Sequence, residues 1–533
     1  MIQKLALRNY RRFREFDLEF ESGLNVLVGR NDSGKSTVIE ALSVALTGRI
    51  HGRAISHGIS PYLINLDATR EYVEGIRQGK PASPPVLLID LFLHATDQTE
   101  PLRGTNNVHA EDACGLRVQA RLSDDYAEEY ANFIRAPESV RLAPTEYYRL
   151  DWLGFSGNPV SARNIPATAS VVDPATIRFL SGVEHHLQSA IRTHLDVRER
   201  VELSRQYRSL REEFGEKDAV KRVNERLNDD EHPITDRELK IAIDISPGFS
   251  WESSLVAHID DVPFQLVGRG EQNSVKTLLA LGTDSSEAKV ILIEEPETHL
   301  TFASLRRLVS RIEQRCAGKQ VVVATHSAYV INKLGLGSLI LLGGESPTRI
   351  TDLPNGTSSF FSKLPGFDTL RLVLADGAVL VEGPSDELII QRAYLDQKGR
   401  LPIEDGIDVI SVGTSHKRFL ELAVRLRRRV CAVVDNDGSS EDLIRARFAD
   451  FLGYDFVSLH VGADPELPTL EPQIVAANDV GTMNRILGLN LATPKELVSA
   501  MSKDKTAHAL SIFSSPERIR MPRYIRDVVD AIG

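Results

Sequence analysis

A glycine-rich run near the start of the chain has the residue types that hold nucleotide phosphates. The run reads GRNDSGKS, follows the apolar stretch LNVLV and precedes the apolar-periodic stretch VIEALSVAL. In such a strand–loop–helix unit the loop amides surround the phosphates, the lysine reaches the β and γ phosphates, and the serine hydroxyl binds Mg²⁺. We therefore predict an ATP site here. Its residues are Gly29, Arg30, Asn31, Asp32, Ser33, Gly34, Lys35, Ser36 and Thr37.

Two carboxylates end an apolar stretch in the middle of the chain, where VILI is followed by Glu294 and Glu295. We predict that Glu294 completes the Mg²⁺ shell of a bound nucleotide and that Glu295 orients or deprotonates the attacking water. Aspartate is usual at the position of Glu294. Because glutamate is longer by one methylene group, the sequence does not determine how Glu294 would coordinate Mg²⁺. The alternative interpretation is a buried strand that runs into an acidic helix cap.

Two smaller motifs lie close to this pair in the sequence. The strand-like stretch QVVVA leads to His326, which we predict to sense the γ-phosphate. The loop GRGEQ opens a helical stretch, and we predict that Gly268, Gly270 and Gln272 help it to present amide groups to the γ-phosphate of a second subunit. A structural histidine and an ordinary helix cap are the alternatives.

A second set of acidic residues lies in the last third of the chain. Glu382 and Asp386 follow the strand-like stretch AVLV, and Asp435 and Asp437 follow RVCAVV. Carboxylates at the ends of parallel strands meet at one edge of a sheet, where they bind hard cations. With Glu471 they predict two divalent cations, Mg²⁺ or Mn²⁺, about 4 Å apart, which stabilise the attacking and leaving oxygens at a phosphodiester. Solvated turn aspartates are the alternative.

The composition excludes several classes of protein. The chain has 533 residues, 42% hydrophobic and 26% charged, which is typical of soluble multidomain proteins and not of disordered or collagen-like chains. No apolar stretch reaches the roughly 18 residues of a membrane helix, and no signal segment opens the chain. The three cysteines lie far apart in the sequence, which is typical of a reducing compartment. We therefore expect a cytoplasmic protein without a membrane partner.

The periodicity of the apolar residues predicts an α/β protein in three parts. A phosphate-binding unit over 1–173 and 234–365 is interrupted by a charged helical insertion over 174–233, for which we predict a role in dimerisation. The turn-rich stretch 344–359 leads into a second parallel-sheet domain over 370–533. The predicted strands span 2–8, 24–28, 86–93, 239–245, 289–293, 320–324, 378–383, 407–412, 429–435 and 454–461.

The first unit resembles the ABC-type P-loop ATPases of the SMC/RecF group. The resemblance rests on the opening LALRNYRRF, the GRNDSGKST loop, the loop at 268–272 and the position of His326. In that group two ATPase heads enclose ATP between them, so the resemblance implies a homodimer. It also implies a glutamine in the loop after an early strand, and Gln98 is the candidate for it.

The second unit resembles the Toprim fold of topoisomerases, primases and some nucleases, through its E-G-x-x-D and D-x-D motifs. An ABC-type ATPase followed by a Toprim domain resembles the overcoming-lysogenisation-defect (OLD) family of endonucleases, and this resemblance covers nearly the whole chain. It implies a metal-dependent DNA endonuclease coupled to or regulated by ATP hydrolysis, with a role in phage defence or DNA processing. It also implies that Glu471 binds metal and that Lys505, or the neighbouring Lys503, stabilises the transition state or helps to activate water.

Two other functions fit part of the pattern. One is a RecF-like, ATP-switched DNA-binding repair protein with a non-catalytic Toprim domain, although the intact acidic set argues against it. The other is a topoisomerase subunit, but we find no segment for a strand-passing domain after the Toprim unit. The net charge of −11 does not exclude DNA, because local basic clusters either contact phosphates or form solvated helix faces. The clusters are Arg425, Arg427, Arg428 and Arg429, and Arg518, Arg520, Arg523 and Arg526.

Overall fold

The fold is described from a computed structural model of the chain. An antiparallel sheet and a mostly parallel sheet form the N-terminal part, and a second parallel sheet forms the C-terminal part. The structure describes residues 1–50, 53–55, 59–80, 83–160, 165, 169–172, 195–228, 239–241, 243, 251, 258–281, 289–315, 318–343, 346–363 and 367–533.

Strands and α-helices of the described residues are labelled in chain order. The strands are β1 (Ile2–Tyr10), β2 (Phe13–Glu19), β3 (Leu24–Gly29), β4 (Arg49–Ile50), β5 (Arg53–Ala54), β6 (Leu87–Leu93), β7 (Arg103–Gly104), β8 (Ala113–Leu122), β9 (Tyr148–Gly154), β10 (Ala169–Val172), β11 (His258–Ile259), β12 (Val262–Pro263), β13 (Val290–Glu294), β14 (Gln320–Ala324), β15 (Leu339–Leu342), β16 (Thr348–Arg349), β17 (Gly377–Val381), β18 (Ile407–Ser411), β19 (Arg429–Val434) and β20 (Val457–Val461). The helices are α1 (Lys35–Thr47), α2 (Leu66–Arg77), α3 (Ala127–Phe133), α4 (Val197–Gly215), α5 (Asp218–Asn228), α6 (Arg269–Leu281), α7 (Phe302–Arg315), α8 (Ala328–Leu334), α9 (Asn355–Lys363), α10 (Phe367–Leu374), α11 (Pro384–Lys398), α12 (His416–Arg425), α13 (Glu441–Arg447), α14 (Leu470–Ala477), α15 (Val480–Leu487), α16 (Pro494–Lys503), α17 (Lys505–Ser514) and α18 (Arg523–Ile532).

The antiparallel sheet has the order β2-β1-β6-β8-β7, and β9 pairs with β8. Alternate residues along β1, such as Leu5 and Leu7, point to one face because side chains in a strand alternate between faces. They share a hydrophobic core with Val38 and Leu42 of helix α1. The first sheet thereby covers one side of the helix that follows the phosphate loop.

The parallel sheet of the N-terminal part has the order β10-β13-β14-β3-β15-β16, and only β16 is antiparallel to its neighbour. Its strands are apolar on both faces: every residue of β14, for example, is buried. Buried runs of this kind are typical of parallel strands with helices on both sides. The order places the carboxyl ends of β3, β13 and β14 together at one edge.

The C-terminal sheet is fully parallel, in the order β18-β17-β19-β20. Helix α18 packs on this sheet, with Ile525, Val528 and Val529 at most 1% exposed. Helices α11, α14 and α17 contribute to the same core. The central strands β17 and β19 therefore end side by side at the carboxyl edge, where the predicted acidic residues begin.

One hydrophobic core joins the two parallel sheets. Helix α10 lies between them, and its Leu370, Leu372 and Val373 are at most 2% exposed. These side chains belong to the same cluster as Val28 of β3 and Leu380 of β17. The strand that carries the phosphate loop and the strand that carries Glu382 thus pack on one continuous core.

Most of the predicted elements are confirmed. Nine of the ten predicted strands are present within three residues of the expected bounds. The exception is 239–245, where residues 239–241 and 243 form no strand and the others lie outside the described residues. The insertion is helical over α4 and α5, whereas residues 173–194 and 229–233 lie outside the description.

Two further features bear on the sequence-based expectations. Within the turn-rich stretch, the described residues 346–359 include strand β16 and the start of helix α9. None of the helices in the described part of the chain combines the length and the apolar character needed to cross a lipid bilayer.

Candidate functional site

The phosphate loop lies between β3 and α1, near the middle of the parallel sheet. Gly34 has a φ of 98°, and a Cβ atom there would lie 2.2 Å from the Phe13 ring, so a side chain does not fit at this corner. The Lys35 Nζ donates hydrogen bonds to the carbonyl oxygens of Gly29 and Arg30, each at 2.8 Å. The loop carbonyls thus hold the ammonium group at the centre of the loop.

The electrostatic surroundings of Lys35 combine burial with the charges of nearby glutamates. Burial lowers the pKa of Lys35 to about 8, although the charges of Glu295, Glu297 and Glu294 oppose this shift. An opposite charge close to a buried ammonium favours its charged form. A phosphate group beside Lys35 would therefore be stabilised by the lysine and would stabilise the lysine in return.

Glu295 and His326 form a direct contact between the ends of β13 and β14. His326 Nε2 lies 3.1 Å from Glu295 Oε1. Glu295 adopts a left-handed φ of 40°, and its backbone N–H donates to the Ala324 carbonyl at 2.8 Å. The structure thus brings together the two residues that were predicted to activate water and to sense the γ-phosphate.

Glu297 organises the loop after β14 and was not among the predicted site residues. Its Oε1 accepts hydrogen bonds from the Thr325 hydroxyl at 2.7 Å and from the backbone N–H groups of His326 at 2.8 Å and Ser327 at 3.1 Å. The sequence signal is the third glutamate of EEPET, two positions after Glu295. Glu297 therefore fixes the backbone that carries the histidine.

A cavity of about 570 Å³ opens beside the phosphate loop. This volume is within the range of ligand pockets, about 300–1,000 Å³. Arg11 and Arg12 add positive charge to the cavity, and no sequence motif indicates them. The Arg11 guanidinium donates to both carboxylate oxygens of Glu40, at 2.6 and 2.7 Å. The cavity is lined by Arg11, Arg12, Asn31, Asp32, Gly34, Lys35, Ser36, Thr37, Glu295 and His326.

Four of the predicted nucleotide residues adjoin this cavity without lining it. Glu294 ends β13 beside the lining residue Glu295, and Gly29 ends β3. The backbone N–H of Ser33 donates to the Arg30 carbonyl at 3.1 Å and closes the turn of the loop. The Arg30 side chain forms an ion pair with Asp376, which directly precedes β17.

The residues of the predicted signature loop do not line the cavity beside the phosphate loop of their own chain. A Cβ atom on Gly270 would lie 2.3 Å from the His299 carbonyl oxygen, so glycine permits this close approach. The Gln272 side chain is 5% exposed, and its amide donates to the carbonyls of Phe264 at 2.9 Å and Val267 at 2.8 Å. Gln272 therefore stabilises the turn before α6, and Gly268 precedes that helix in an open position.

Gln98 does not lie at the nucleotide cavity. Its Oε1 accepts a hydrogen bond from Lys289 Nζ at 3.1 Å. Lys289 precedes β13, whereas the phosphate loop and Glu294 are at the carboxyl ends of the strands. Gln98 is therefore at the opposite edge of the sheet, and its assignment to a nucleotide-binding loop is wrong.

The acidic residues of the C-terminal domain come from the ends of two strands and the first turns of two helices. Glu382 follows β17 and accepts a hydrogen bond from the Asp435 backbone N–H at 3.0 Å. Asp386, in the first turn of α11, accepts from the Gly383 N–H at 2.9 Å. Glu471 is 3% exposed in the first turn of α14. These contacts orient carboxylates that are far apart in the sequence toward one place.

Burial and mutual repulsion perturb the acidic set. Burial first, and then the charges of Asp386, Glu382 and Glu471, raise the pKa of Asp435 to about 8. Burial also raises the pKa of Asp386 to about 6 and shifts that of Glu382 upward. The cluster is therefore short of positive charge, which is the condition that a bound cation would relieve.

Lys505 lies against the acidic set, whereas Lys503 forms no ion pair with it in the part of the chain that the structure describes. Lys505 Nζ lies 3.1 Å from Glu471 Oε1. Although burial opposes the shift, the hydrogen bond and charge of Glu471 raise the pKa of Lys505, with further contributions from Asp435 and Asp386. Lys505 is thus the better placed of the two candidate lysines.

The donor set fits divalent cations in its chemistry. Hard cations such as Mg²⁺ and Mn²⁺ prefer carboxylate oxygens, and the site offers Glu382, Asp386, Asp435, Asp437 and Glu471. Among the described residues, however, no three acidic, histidine or cysteine side chains are already arranged around a single ion position. Side-chain rotation would therefore accompany metal binding.

The basic cluster before β19 does not form a single solvated face. Arg428 is 6% exposed and donates to the Val373 carbonyl at 2.9 Å, so it belongs to the joint between the two sheets. Arg425 and Arg429, in contrast, are exposed to solvent. The cluster around Arg520 and Arg523 is exposed.

Three family profiles match separate parts of the chain. An AAA domain profile matches residues 4–82, and an AAA domain profile described as putative AbiEii toxin, Type IV TA system, matches residues 186–332. The profile of the overcoming lysogenization defect protein-like TOPRIM domain matches residues 373–437.

Individual proteins are similar over shorter stretches or at low identity. DNA replication and repair protein RecF of Streptococcus pneumoniae (strain CGSP14) is 31% identical over 141 residues, which cover 26% of this chain and 33% of the relative. The chain thus spans about a third of the length of the curated relatives it matches.

Two solved structures illustrate the structural similarity. The SMC head domain from Thermotoga maritima is 15% identical and covers 64% of this chain and 93% of its own, with a TM-score of 0.29. The C-terminal region of the Burkholderia pseudomallei OLD protein is 21% identical and covers 30% of this chain and 96% of its own, with a TM-score of 0.24. From the family profiles, the chain joins AAA/ABC-type ATPase domains to an OLD-like Toprim domain at its C-terminus.

Proposed function

We propose that the chain is a metal-dependent DNA endonuclease whose Toprim site cleaves phosphodiesters with two divalent cations, Mg²⁺ or Mn²⁺, under the control of an ABC-type ATPase. The observation that carries this proposal is the unbalanced negative charge at the Toprim edge. Glu382, Asp386, Asp435 and Glu471 converge there, and in the described residues Lys505 makes the one ion pair with this group. Divalent cations would balance that charge.

The roles of the Toprim residues follow from their positions. When bound, the cations would polarise the phosphodiester and activate the attacking water, which contributes several kcal/mol to such reactions. The carboxylates at the ends of β17 and β19 supply anionic oxygens from a rigid sheet edge. Lys505 orients Glu471 and places a positive charge where negative charge develops on the phosphate.

The ATP site completes the proposal. Lys35 binds the β and γ phosphates, Ser36 and Glu294 hold the Mg²⁺ of the nucleotide, and Glu295 with His326 orients the attacking water. The contact between Glu295 and His326 supports this division of roles because one residue positions the other. Control of cleavage by ATP rests on the shared core between the two sheets.

A homodimer is part of the same proposal. None of the residues 268–272 lines the nucleotide cavity of its own chain, as expected for a loop that serves a second subunit. Helix α4 has no buried residue among those described, and Val197, Val201 and Leu210 are 79%, 64% and 65% exposed. Exposed apolar side chains on a helical insertion favour an interface with another protein surface.

A second candidate is an ATP-switched DNA-binding repair protein with a non-catalytic Toprim domain. The specific observations in its favour are the similarity to RecF over 141 residues and the lack of a ready-made ion position among the described acidic residues. In this case the acidic set would be a remnant that no longer binds metal. A role in phage defence follows only from the resemblance to the OLD family.

The experiment that separates the candidates is plasmid cleavage by the full chain. Supercoiled plasmid is incubated with the protein in Mg²⁺, in Mn²⁺ or in chelator, each with and without ATP. We expect relaxed or linear product in at least one metal and none in chelator, and loss of cleavage in Glu382→Gln prepared in parallel, which controls for contaminating nucleases. DNA binding without cleavage in either metal would favour the second candidate.

A further inference from the structure

We infer that Asn436, the central residue of the D-x-D motif, is a positioning residue for the metal-binding carboxylates on both sides of it. This inference rests on the proposed nuclease function but concerns metal binding itself. Asn436 is 0% exposed, although it lies between the half-buried Asp435 and the exposed Asp437. A buried polar side chain between two candidate ligands needs an explanation, because burying an amide costs free energy unless its hydrogen bonds are made.

The Asn436 side chain holds a loop that follows β20. Its Nδ2 donates to the carbonyl oxygens of Gly462 at 3.0 Å, Asp464 at 2.8 Å and Leu467 at 3.3 Å. Its Oδ1 accepts from the Gly438 backbone N–H at 2.9 Å. One side-chain amide therefore connects the turn at Gly438 to a separate loop over 462–467.

That loop leads directly to the other half of the metal site. The carbonyl of Pro468 accepts a hydrogen bond from the Asp437 backbone N–H at 3.1 Å. Thr469 then donates through its hydroxyl to Glu471 Oε2 at 2.8 Å. By holding this loop, Asn436 sets the distance between the D-x-D pair and Glu471.

The backbone of the turn also depends on this clamp. Asp437 has a left-handed φ of 48°, and Gly438 has a φ of 77°. Residues other than glycine adopt the left-handed region at a cost, so the surrounding hydrogen bonds must maintain it. Asn436 and the Pro468 carbonyl supply those bonds. Metal binding would then need only rotation of the carboxylate side chains, because their backbone is already in place.

The test is Mn²⁺ binding by the full chain, measured by calorimetry and by electron paramagnetic resonance, independently of cleavage. Removal of residues that orient metal ligands typically weakens metal affinity about 10–100-fold. We expect Asn436→Ala to weaken Mn²⁺ binding within that range and to shift the metal concentration for half-maximal nicking upward, with most of the rate recovered at saturating Mn²⁺. ATP hydrolysis should stay near that of the wild type.

The matched control is Asn484→Ala. Asn484 also clamps a loop of this domain, since its Nδ2 donates to the Leu491 carbonyl at 2.8 Å and its Oδ1 accepts from the Leu491 N–H at 3.0 Å. A loss of loop structure alone would act similarly in both variants, whereas a positioning role predicts weaker Mn²⁺ binding only in the Asn436 variant. If Asn436→Ala does not fold, as judged by circular dichroism and ATP hydrolysis, Asn436→Ser keeps one donor and replaces it in the same measurements.

The outcomes separate this inference from the proposed function. Suppose that the wild type cleaves DNA and that Asn436→Ala or Asn436→Ser binds Mn²⁺ with the affinity of the wild type. This result overturns the inference and leaves the endonuclease proposal intact. Suppose instead that the wild type binds Mn²⁺ without cleaving DNA and that the Asn436 variant binds Mn²⁺ more weakly. This result supports the inference and overturns the proposed function. A wild type that binds no Mn²⁺ overturns both.

Discussion

At the ATP site Lys35 contacts two loop carbonyls and Glu295 contacts His326. At the Toprim site several carboxylates lie near one cation, Lys505, among the residues that the structure describes. Both sites lie at the carboxyl edge of a parallel sheet. The pKa of the key lysine is lowered at the first, and the pKa of Asp435 is raised at the second. The same architectural position thus carries pKa shifts of opposite sign, and burial is the largest cause of both.

The difference indicates what each site lacks without its ligand. A buried ammonium with a lowered pKa is stabilised by an added anion such as a nucleotide phosphate, and a carboxylate with a raised pKa is stabilised by an added cation. Because the two sites share no side chain, a change of charge at one site is expected to leave the chemistry of the other largely intact. The experiments below test that independence.

The largest effect is expected for Asp435→Ala. Removing a central carboxylate leaves fewer anionic oxygens than a hard cation needs, and loss of metal assistance costs several kcal/mol, or about 10³-fold or more in cleavage rate. Nicking of supercoiled plasmid in Mg²⁺ and Mn²⁺ measures the loss, and ATP hydrolysis should stay close to normal. Asp450→Ala, an exposed aspartate of the same domain, is the matched control. Full nicking by the Asp435 variant would mean that the D-x-D pair is not the metal centre.

Lys35→Ala tests the other half of the comparison. The variant loses the ammonium group at the centre of the phosphate loop, and ATP hydrolysis should fall about 10²–10³-fold, as when a group that stabilises developing charge is removed. Basal metal-dependent nicking should remain measurable. Lys80→Ala, which removes an exposed lysine outside the loop, should hydrolyse ATP normally. Wild-type hydrolysis by the Lys35 variant would disprove the phosphate-loop assignment.

Glu295→Gln should separate ATP binding from ATP hydrolysis. The amide keeps the shape of the side chain but cannot accept a proton from water, so turnover should fall by about 10²-fold while ATP affinity changes little. If two heads enclose ATP, the variant should also accumulate as an ATP-dependent dimer in solution scattering. An unchanged molecular mass with ATP would contradict the dimer proposal, and an unchanged turnover would contradict the role of Glu295.

Metal-free stability should depend on pH through Asp435. Its pKa is about 8 in the folded chain and 3.8 ordinarily, so between these values the folded state holds a proton that the unfolded state has released. The folded state therefore loses stability as pH rises through this window. In chelator, Asp435→Asn should raise the urea midpoint strongly at pH 8 and much less at pH 5, near the lower end of the window. Asp450→Asn should show no such pH dependence, and an equal effect of Asp435→Asn at both pH values would contradict the raised pKa.

The smallest effect is expected for Asp376→Asn, which breaks the ion pair with Arg30 between the phosphate loop and the start of the Toprim sheet. The two side chains are 43% and 48% exposed, and exposed ion pairs contribute about 0.2–1 kcal/mol. ATP affinity should therefore change less than about fivefold, as for Glu71→Gln at the exposed pair with Arg14. Loss of the response of nicking to ATP in the Asp376 variant would show that this ion pair, and not only the shared core, couples the two sites.

The sequence predicts residues whose chemistry depends on local spacing. Lys35 and Glu295 are found because each follows an apolar strand within a short motif, and parallel strands bring such positions to one edge. Glu297 and Asn436 are not found because their roles depend on contacts with loops elsewhere in the fold. An Asn between two aspartates carries no spacing signal for a clamp on residues 462–467.

Two errors have physical causes of the same kind. Gln98 follows an early strand as expected, but it lies at the opposite edge of the sheet, next to Lys289. The alternation in LKIAIDI is typical of a strand, but Leu239 and Ile241 are 38% and 48% exposed and have no sheet to join in the described residues. In both cases the sequence has the expected local pattern, but that pattern does not determine where the segment lies in the folded chain.

The core shared by β3, α10 and β17 determines how the chain should melt. Val28, Leu370 and Leu380 belong to one buried cluster, so unfolding of either sheet would expose apolar side chains of the other. Heating should therefore produce a single cooperative transition for both parallel sheets rather than one for each. A ligand that binds only the folded state raises the temperature of that transition in proportion to RT ln(1 + [L]/Kd). Nucleotide bound at the phosphate loop would thus protect the Toprim edge from heat without contacting it.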